Sequence, residues 1–298
     1  MLLVSQGFMG LSGNSPVSEK WFSFGDSCVC VSEREPAPSG KGILVFLHGR
    51  LGYSEIWHPV VESLHSQFRC LFVDFPGHGG SFSTSGGISV TDMGYLVGEL
   101  LTQLTADEAV LIGHDIGGAA AQFCAMKWPE RVAGLVLINS VCLSERVDPI
   151  PCGWPQFKLR RLFKKLLHSS AQLTPPYVSL LKQMFENRVG SVAITQAIRH
   201  IQDAWPDEGE RAVYREAICQ LRKPTLLLWG GLDSLVPPER GFELIRRLPD
   251  ASFYLSEHAG HWPFLENPDW VVVKTREFLT RLRFGAHKHS ARFAEHGY

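Results

Sequence analysis

The sequence predicts an α/β protein: a doubly wound, mostly parallel sheet of eight strands, with a helical lid inserted before the last two. Three observations carry that expectation. Short continuous apolar runs, of the kind buried on both faces of a parallel sheet, alternate with stretches of helical period. Several of these runs end in glycine-rich turns. The alternation breaks once, between about residues 144 and 221, and then resumes.

Taken in order, Trp21–Phe24 and Cys28–Val31 read as a hairpin turning at Gly25 and Asp26. Ile43–Leu47 (ILVFL) is the first fully buried strand, and Leu71–Val73, Ala109–Ile112 and Leu135–Ile138 repeat its signature, as do Thr225–Trp229 and Ser252–Leu255. Between them, residues 54–66 place Ile56, Val60, Val61 and Leu64 on one helical face. Residues 91–104 do the same with Met93, Leu96, Val97, Leu100, Leu101 and Leu104. The stretch Ile116–Lys127 is small and apolar, and Trp128-Pro129 closes it because proline cannot extend a helix. A core domain over residues 1–143 and 222–283 is therefore expected, with a lid over 144–221 and a flexible tail over 284–298, where the apolar period is lost. A lid inserted between parallel strands lies over their carboxyl edge, where open α/β sheets bind ligands.

Composition narrows the partners. Apolar residues make up 45% of the chain and charged residues 20%, the balance of a soluble globular protein. A formal net charge of −1 creates no whole-chain field to gather nucleic acid or anionic membrane, so a small, largely apolar substrate is expected. The seven cysteines are scattered, mostly among apolar neighbours, and read as reduced, buried thiols of a cytoplasmic protein. Neither metal nor cofactor is expected: Cys28 and Cys30 have no second pair, and His287 and His289 have no carboxylate or thiol partner. No apolar stretch approaches membrane-spanning length.

The strongest local signal is Gly113-His114-Asp115-Ile116-Gly117, placed between a strand and a small-residue helix. This is the G-x-nucleophile-x-G elbow in its required context. The two glycines are needed because a side chain at either would collide across the tight turn, and the helix that follows aims its N–H groups at the reacting centre.

With that elbow, the chain resembles the α/β-hydrolase superfamily from about Gly42 to Leu279. His48-Gly49-Arg50-Leu51-Gly52 is similar to the family's oxyanion loop, Asp74-Phe75-Pro76-Gly77-His78-Gly79 to its D-x-x-G-x-G turn, Trp229-Gly230-Gly231-Leu232-Asp233 to its acid turn, and Gly260-His261-Trp262 to its histidine loop. The resemblance implies a catalytic set of Asp115, Asp233 and His261, with backbone N–H groups of Arg50 and Ile116 as the oxyanion hole.

An aspartate in the place of the usual serine selects the chemistry. Attack by a carboxylate on an acyl group makes a mixed anhydride, an uphill product. Attack on a saturated carbon makes an alkyl ester of Asp115, which His261 then opens by activating water. The chain thereby resembles the aspartate branch, which contains epoxide hydrolases and haloalkane or fluoroacetate dehalogenases. Ile116 stands where the dehalogenases carry tryptophan or arginine, which favours an epoxide over a halide. Epoxide hydrolases of this family donate a proton from lid tyrosines, a role expected here of Tyr214 and Tyr177, while Trp154 and Trp205 are the lid residues able to hold a halide. The loop reads His-Gly-Arg rather than the His-Gly-x-Pro of epoxide hydrolases, a form commoner among serine members. Two further readings stand beside hydrolysis: a lyase, isomerase or cyclase using Asp115 as base, and a non-catalytic receptor, which would not need both Asp233 and His261.

Overall fold

The computed structural model describes residues 3–4, 18–34, 42–85, 87–104, 108–145 and 188–282. Its strands are β1 (Leu3–Val4), β2 (Ser18–Phe24), β3 (Ser27–Arg34), β4 (Ile43–Leu47), β5 (Arg69–Val73), β6 (Phe82–Ser83), β7 (Ala109–His114), β8 (Val132–Ile138), β9 (Thr225–Gly230) and β10 (Ala251–Ser256). They form one sheet in the order β1-β2-β3-β5-β4-β7-β8-β9-β10, with β6 paired to β3. From β5 to β10 the pairing is parallel, and the hairpin strands join antiparallel through β3 and β5. The sheet has ten strands rather than the expected eight, because β1 and β6 are added. Each is two residues long, too short to leave a periodic signal.

The described helices are α1 (His58–Leu64), α2 (Val90–Gln103), α3 (Ile116–Lys127), α4 (Arg188–Asp203), α5 (Glu208–Gln220), α6 (Pro238–Arg247), α7 (Pro263–Glu266) and α8 (Pro268–Arg281). Strand alternation sorts the core into two layers. Val45 and Leu47 of β4 join Leu111, Leu137 and Leu227 beneath α2 and α3. Leu44 and Phe46 face the other way and join Val110, Ile112, Leu226 and Leu228 beneath α1 and α8. Strands β4, β5, β7, β8 and β9 each supply both layers, which is why they read as unbroken apolar runs.

Helix α3 is buried from Ile116 to Ala125, so it has no polar face and no amphipathic period. Small residues let it lie against the sheet: a methyl group on Gly117 would sit 2.3 Å from the Leu47 carbonyl oxygen. Between β8 and β9, helices α4 and α5 make up the described part of the insertion. Asp207 starts α5 with a capping box, its carboxylate accepting from the Glu210 amide at 2.9 Å while Glu210 accepts from the Asp207 amide at 3.0 Å. Ala197, Ile198 and Ile201 of α4 are buried, which ties that helix to the domain.

The register brings the chemistry together. Leu47 at the end of β4 lies opposite Gly113 in β7, so the turns leaving both strands emerge side by side. Chain order reverses there: β5 follows β4 on one side, whereas β7 to β10 proceed on the other. That is the topological switch point of a doubly wound sheet, where a crevice opens at the strand carboxyl ends.

Candidate active site

Asp115 occupies the residue between β7 and α3 with φ +50° and ψ −119°. A non-glycine residue rarely adopts such a conformation, and neighbours must hold it there. The Asp115 carbonyl accepts from the amides of Gly118 (3.2 Å) and Val141 (3.1 Å), and its amide donates to the Ile138 carbonyl at 3.3 Å. Ile116 is the buried first residue of α3. The side chain points into the space between the β4 and β7 turns. A methyl group on Gly49 would lie 2.6 Å from Asp115 Cβ and 2.7 Å from His114 Nδ1, so the loop after β4 passes only as glycine.

His261 and Asp233 meet opposite this turn. His261 Nδ1 donates to Asp233 Oδ2 at 2.8 Å, which leaves the lone pair of the neutral ring on Nε2. Asp233 Oδ1 accepts from the amides of Leu235 (2.8 Å) and Val236 (3.0 Å). Oδ2 also takes Asn139 Nδ2 at 2.6 Å. Burial opposes the charge on Asp233, but His261 and these donors prevail and hold its carboxyl below the usual range. The carboxylate therefore stays ionised and can orient the imidazole.

Arg50 supplies the main departure from the sequence reading. Its backbone N–H donates to Asp115 Oδ2 at 2.9 Å, the position expected of an oxyanion donor. Its guanidinium, which the sequence left free to meet a substrate anion, closes instead on the same carboxylate: Nε donates to Oδ2 at 2.9 Å and Nη2 to Oδ1 at 2.8 Å. Each of the two side chains is 1% exposed, so both charges are largely desolvated and each compensates the other. Burial pushes the Asp115 carboxyl up, yet the Arg50 charge and hydrogen bonds, with smaller help from His261 and His114, bring it well below the usual carboxylate range. The signal in the sequence was the pairing of a new anion at the elbow with a cation in the adjoining loop.

Two other residues escaped the sequence reading. Asn139, at φ +43° just past β8, joins Asp233 to β9, because its Oδ1 accepts from the Gly230 amide at 3.1 Å while its amide nitrogen holds the acid. His114, which strand alternation turns away from the Asp115 side chain, donates Nε2–H to the His261 carbonyl at 2.9 Å, and the two rings lie 4.5 Å apart. Burial, then His261, pushes the His114 imidazole down to about 3, so it stays neutral. The loops are braced by other buried groups: His78 Nε2 donates to the Arg50 carbonyl (3.1 Å), and Asp74 accepts from the Ser54 amide (2.6 Å) and the Gly80 amide (2.8 Å).

The lid residues fall differently from expectation. Tyr214 does not lie against Asp115. Its ring packs edge-on against Phe123 with centroids 6.0 Å apart, about two helical turns along α3 from the elbow. Trp205 points its single N–H at the Glu145 carbonyl at 2.9 Å, so that donor is already spent on anchoring and is not available for a halide. Trp154 and Tyr177 lie outside the described residues. Cys30, Cys70, Cys124 and Cys142 are buried, whereas Cys219 is exposed, unlike the burial expected of it. No group of three or more His, Cys, Asp or Glu among the described residues could hold a metal ion. No helix among them is long and apolar enough to cross a membrane.

A strained residue at a strand-to-helix turn, an acid after β9 and a histidine after β10 are the parts of a hydrolase site on a doubly wound sheet. The chain belongs to the alpha/beta hydrolase fold family, whose model matches residues 42–268. Among curated proteins it is similar to the pimeloyl-[acyl-carrier protein] methyl ester esterase of Salmonella newport (strain SL254), at 31% identity over 241 residues, 77% of this chain and 90% of that protein. The protein of the same name from Nitrosomonas europaea is 30% identical over 242 residues, 77% of this chain and 92% of its own. Among solved structures, the epoxide hydrolase CorEH superposes with a TM-score of 0.72 at 20% identity, covering 90% of this chain and all (100%) of that one. The enol-lactonase from Burkholderia xenovorans LB400 gives 0.73 at 18% identity, covering 87% and 99%. These structural likenesses speak for the fold. The chain is an enzyme of the hydrolase class; the sequence relatives bear an esterase name rather than that of an epoxide hydrolase.

Proposed function

We propose that this enzyme hydrolyses a small carbon electrophile, an epoxide before an alkyl halide, through an alkyl ester on Asp115. The observation that carries the reading is the Arg50 backbone N–H on Asp115 Oδ2 at 2.9 Å. In a serine hydrolase such a donor waits for the carbonyl oxygen of the substrate. Here it already holds an oxygen of the nucleophile. That arrangement suits a reaction whose oxyanion forms on Asp115 itself, which is what hydrolysis of an Asp115 ester requires. Asp115 Oδ1 attacks the electrophilic carbon, and no base is needed because the carboxylate is ionised throughout the ordinary pH range. His261, oriented by Asp233, then takes a proton from water as that water attacks Cγ. The Arg50 amide, with the Ile116 amide as the second donor of this reading, receives the developing charge.

Replacing His261 by glutamine removes the base and leaves the first step intact. With styrene oxide as the probe, mass spectrometry of the peptide containing Asp115 is expected to show one added substrate mass. A single turnover in heavy-oxygen water is expected to place label on the Asp115 carboxylate. If reactive epoxides and halides leave no adduct on the His261→Gln protein, the reading is withdrawn.

The esterase name of the sequence relatives favours a second reading, hydrolysis of a carboxylic ester by a water that His261 activates directly. The substrate carbonyl would then have to displace Oδ2 from the Arg50 amide, which counts against it. Turnover of 4-nitrophenyl esters in heavy-oxygen water, with no label entering Asp115, would favour it over the alkyl ester.

A further inference from the structure

We propose that the Arg50 guanidinium is a catalytic residue of ester breakdown: through Nε, 2.9 Å from Asp115 Oδ2 and beside the backbone N–H of the same residue, it holds the oxyanion that forms on that oxygen. The inference rests on the alkyl-ester reading above, and it assigns opposite effects to one side chain in the two halves of the reaction.

In the resting enzyme Arg50 compensates the Asp115 carboxylate, with Nη2 on Oδ1 and Nε on Oδ2. The nucleophilic lone pair on Oδ1 is therefore partly engaged, and alkylation is slowed. In that step an Oδ1 lone pair makes the new C–O bond, and the electrons of the broken bond leave on a halide ion or on the epoxide oxygen, which takes its proton from solvent water. Asp115 becomes a neutral ester. The guanidinium, 1% exposed, has then lost its partner charge on Asp115. Water next attacks Cγ, its proton passing to His261 Nε2, and the C=O π pair moves to Oδ2. Negative charge returns to an atom that already has two Arg50 donors within 2.9 Å, one of them fully charged. Collapse restores the C=O bond and breaks the bond from Cγ to the alkoxy oxygen, the alkoxide takes the proton from His261, and the Asp115 carboxylic acid releases its own proton to solvent, which regenerates the carboxylate. The cation thus disfavours the intermediate and favours the transition state leaving it. Geometry serves this directly: Gly49 lets the loop approach, and His78 fixes the Arg50 carbonyl, so the donors need not reorganise.

The test is rapid-quench turnover of styrene oxide by the full chain, following the mass of the Asp115 peptide, in the parent, Arg50→Gln and His261→Gln proteins. In Arg50→Gln the backbone donor remains and the charged one is lost. Breakdown is expected to slow by about 100-fold, the usual loss for one oxyanion donor. Alkylation is expected to hold or quicken, so Asp115 ester accumulates during turnover. A scaffolding role predicts the reverse, both steps falling together with no ester. Ester on His261→Gln but none on Arg50→Gln overturns this inference and leaves the alkyl-ester reading standing. No ester on either withdraws that reading and the inference with it. Should Arg50→Gln not fold, Arg50→Lys carries the test. An ammonium keeps the charge but cannot serve both oxygens in the same plane. Ester is expected to build to a lower level, and parent-like turnover without ester overturns the inference.

Discussion

Asp115 and Arg50 form a buried pair whose two charges are legible only together. The folded carboxyl sits below 3.8, the value for an unperturbed aspartate, because the guanidinium outweighs burial. An unfolded chain takes up a proton near 3.8 while the folded chain still refuses it, so acid favours unfolding. The stability this group contributes is full above that value and is lost progressively as pH falls below it. Asp115→Asn is expected to be less stable than the parent at neutral pH, since it leaves Arg50 facing a neutral amide, and to lose less on acidification from about pH 5 to pH 2. Urea midpoints across that range check this, and parallel curves for the two proteins would exclude the pair as the source. Asn139 acts at the same scale. Asn139→Gly keeps the positive φ and removes the amide that braces Asp233. It is expected to cost about 1–3 kcal/mol in stability and roughly 10-fold in turnover, by analogy with other groups that orient a catalytic side chain. Parent-like melting and kcat would rule that bracing out.

Among the elements, α3 and the insertion behaved differently in the reading. The bounds of α3 coincide with the sequence expectation, Ile116–Lys127, because a glycine elbow starts it and Trp128-Pro129 stops it. The insertion offered residue types but no directions. Tyr214 lies on a helix whose face is set by packing against Phe123 and not by reach to the elbow. Tyr214→Phe is therefore expected to retain kcat with epoxide probes within about twofold, since the ring keeps its contact with Phe123 when the hydroxyl is removed. A 100-fold loss would return its hydroxyl to the reaction. Trp205 shows the same lesson, since its N–H is committed to the Glu145 carbonyl, and the Glu145 carboxylate in turn pairs with Arg240 and Arg247 of α6, each at 3.1 Å. The root of the insertion is thus fastened to the core by one aromatic anchor and two ion pairs.

At the scale of the whole molecule, a net charge of −1 and an isoelectric point near 6.9 leave the protein without a strong field. Self-association is expected to be greatest near pH 7 and to fall on moving to about pH 8.5, where net charge grows. Light scattering at matched concentration tests this, and a flat profile would show that apolar patches rather than charge control association. Sequence by itself determined the doubly wound sheet and the order of the turns, and it marked Asp115, Asp233 and His261 as the candidates at three of them. Those features are local: an apolar run, a glycine spacing and a motif at each strand end suffice to mark them. Tertiary structure alone decided that the Arg50 side chain folds onto Asp115, that Asn139 holds Asp233, and that Tyr214 turns away. Each depends on which strands are neighbours and at what register, as with Leu47 opposite Gly113, and such contacts between residues 65 or 94 positions apart leave no periodic trace in the chain.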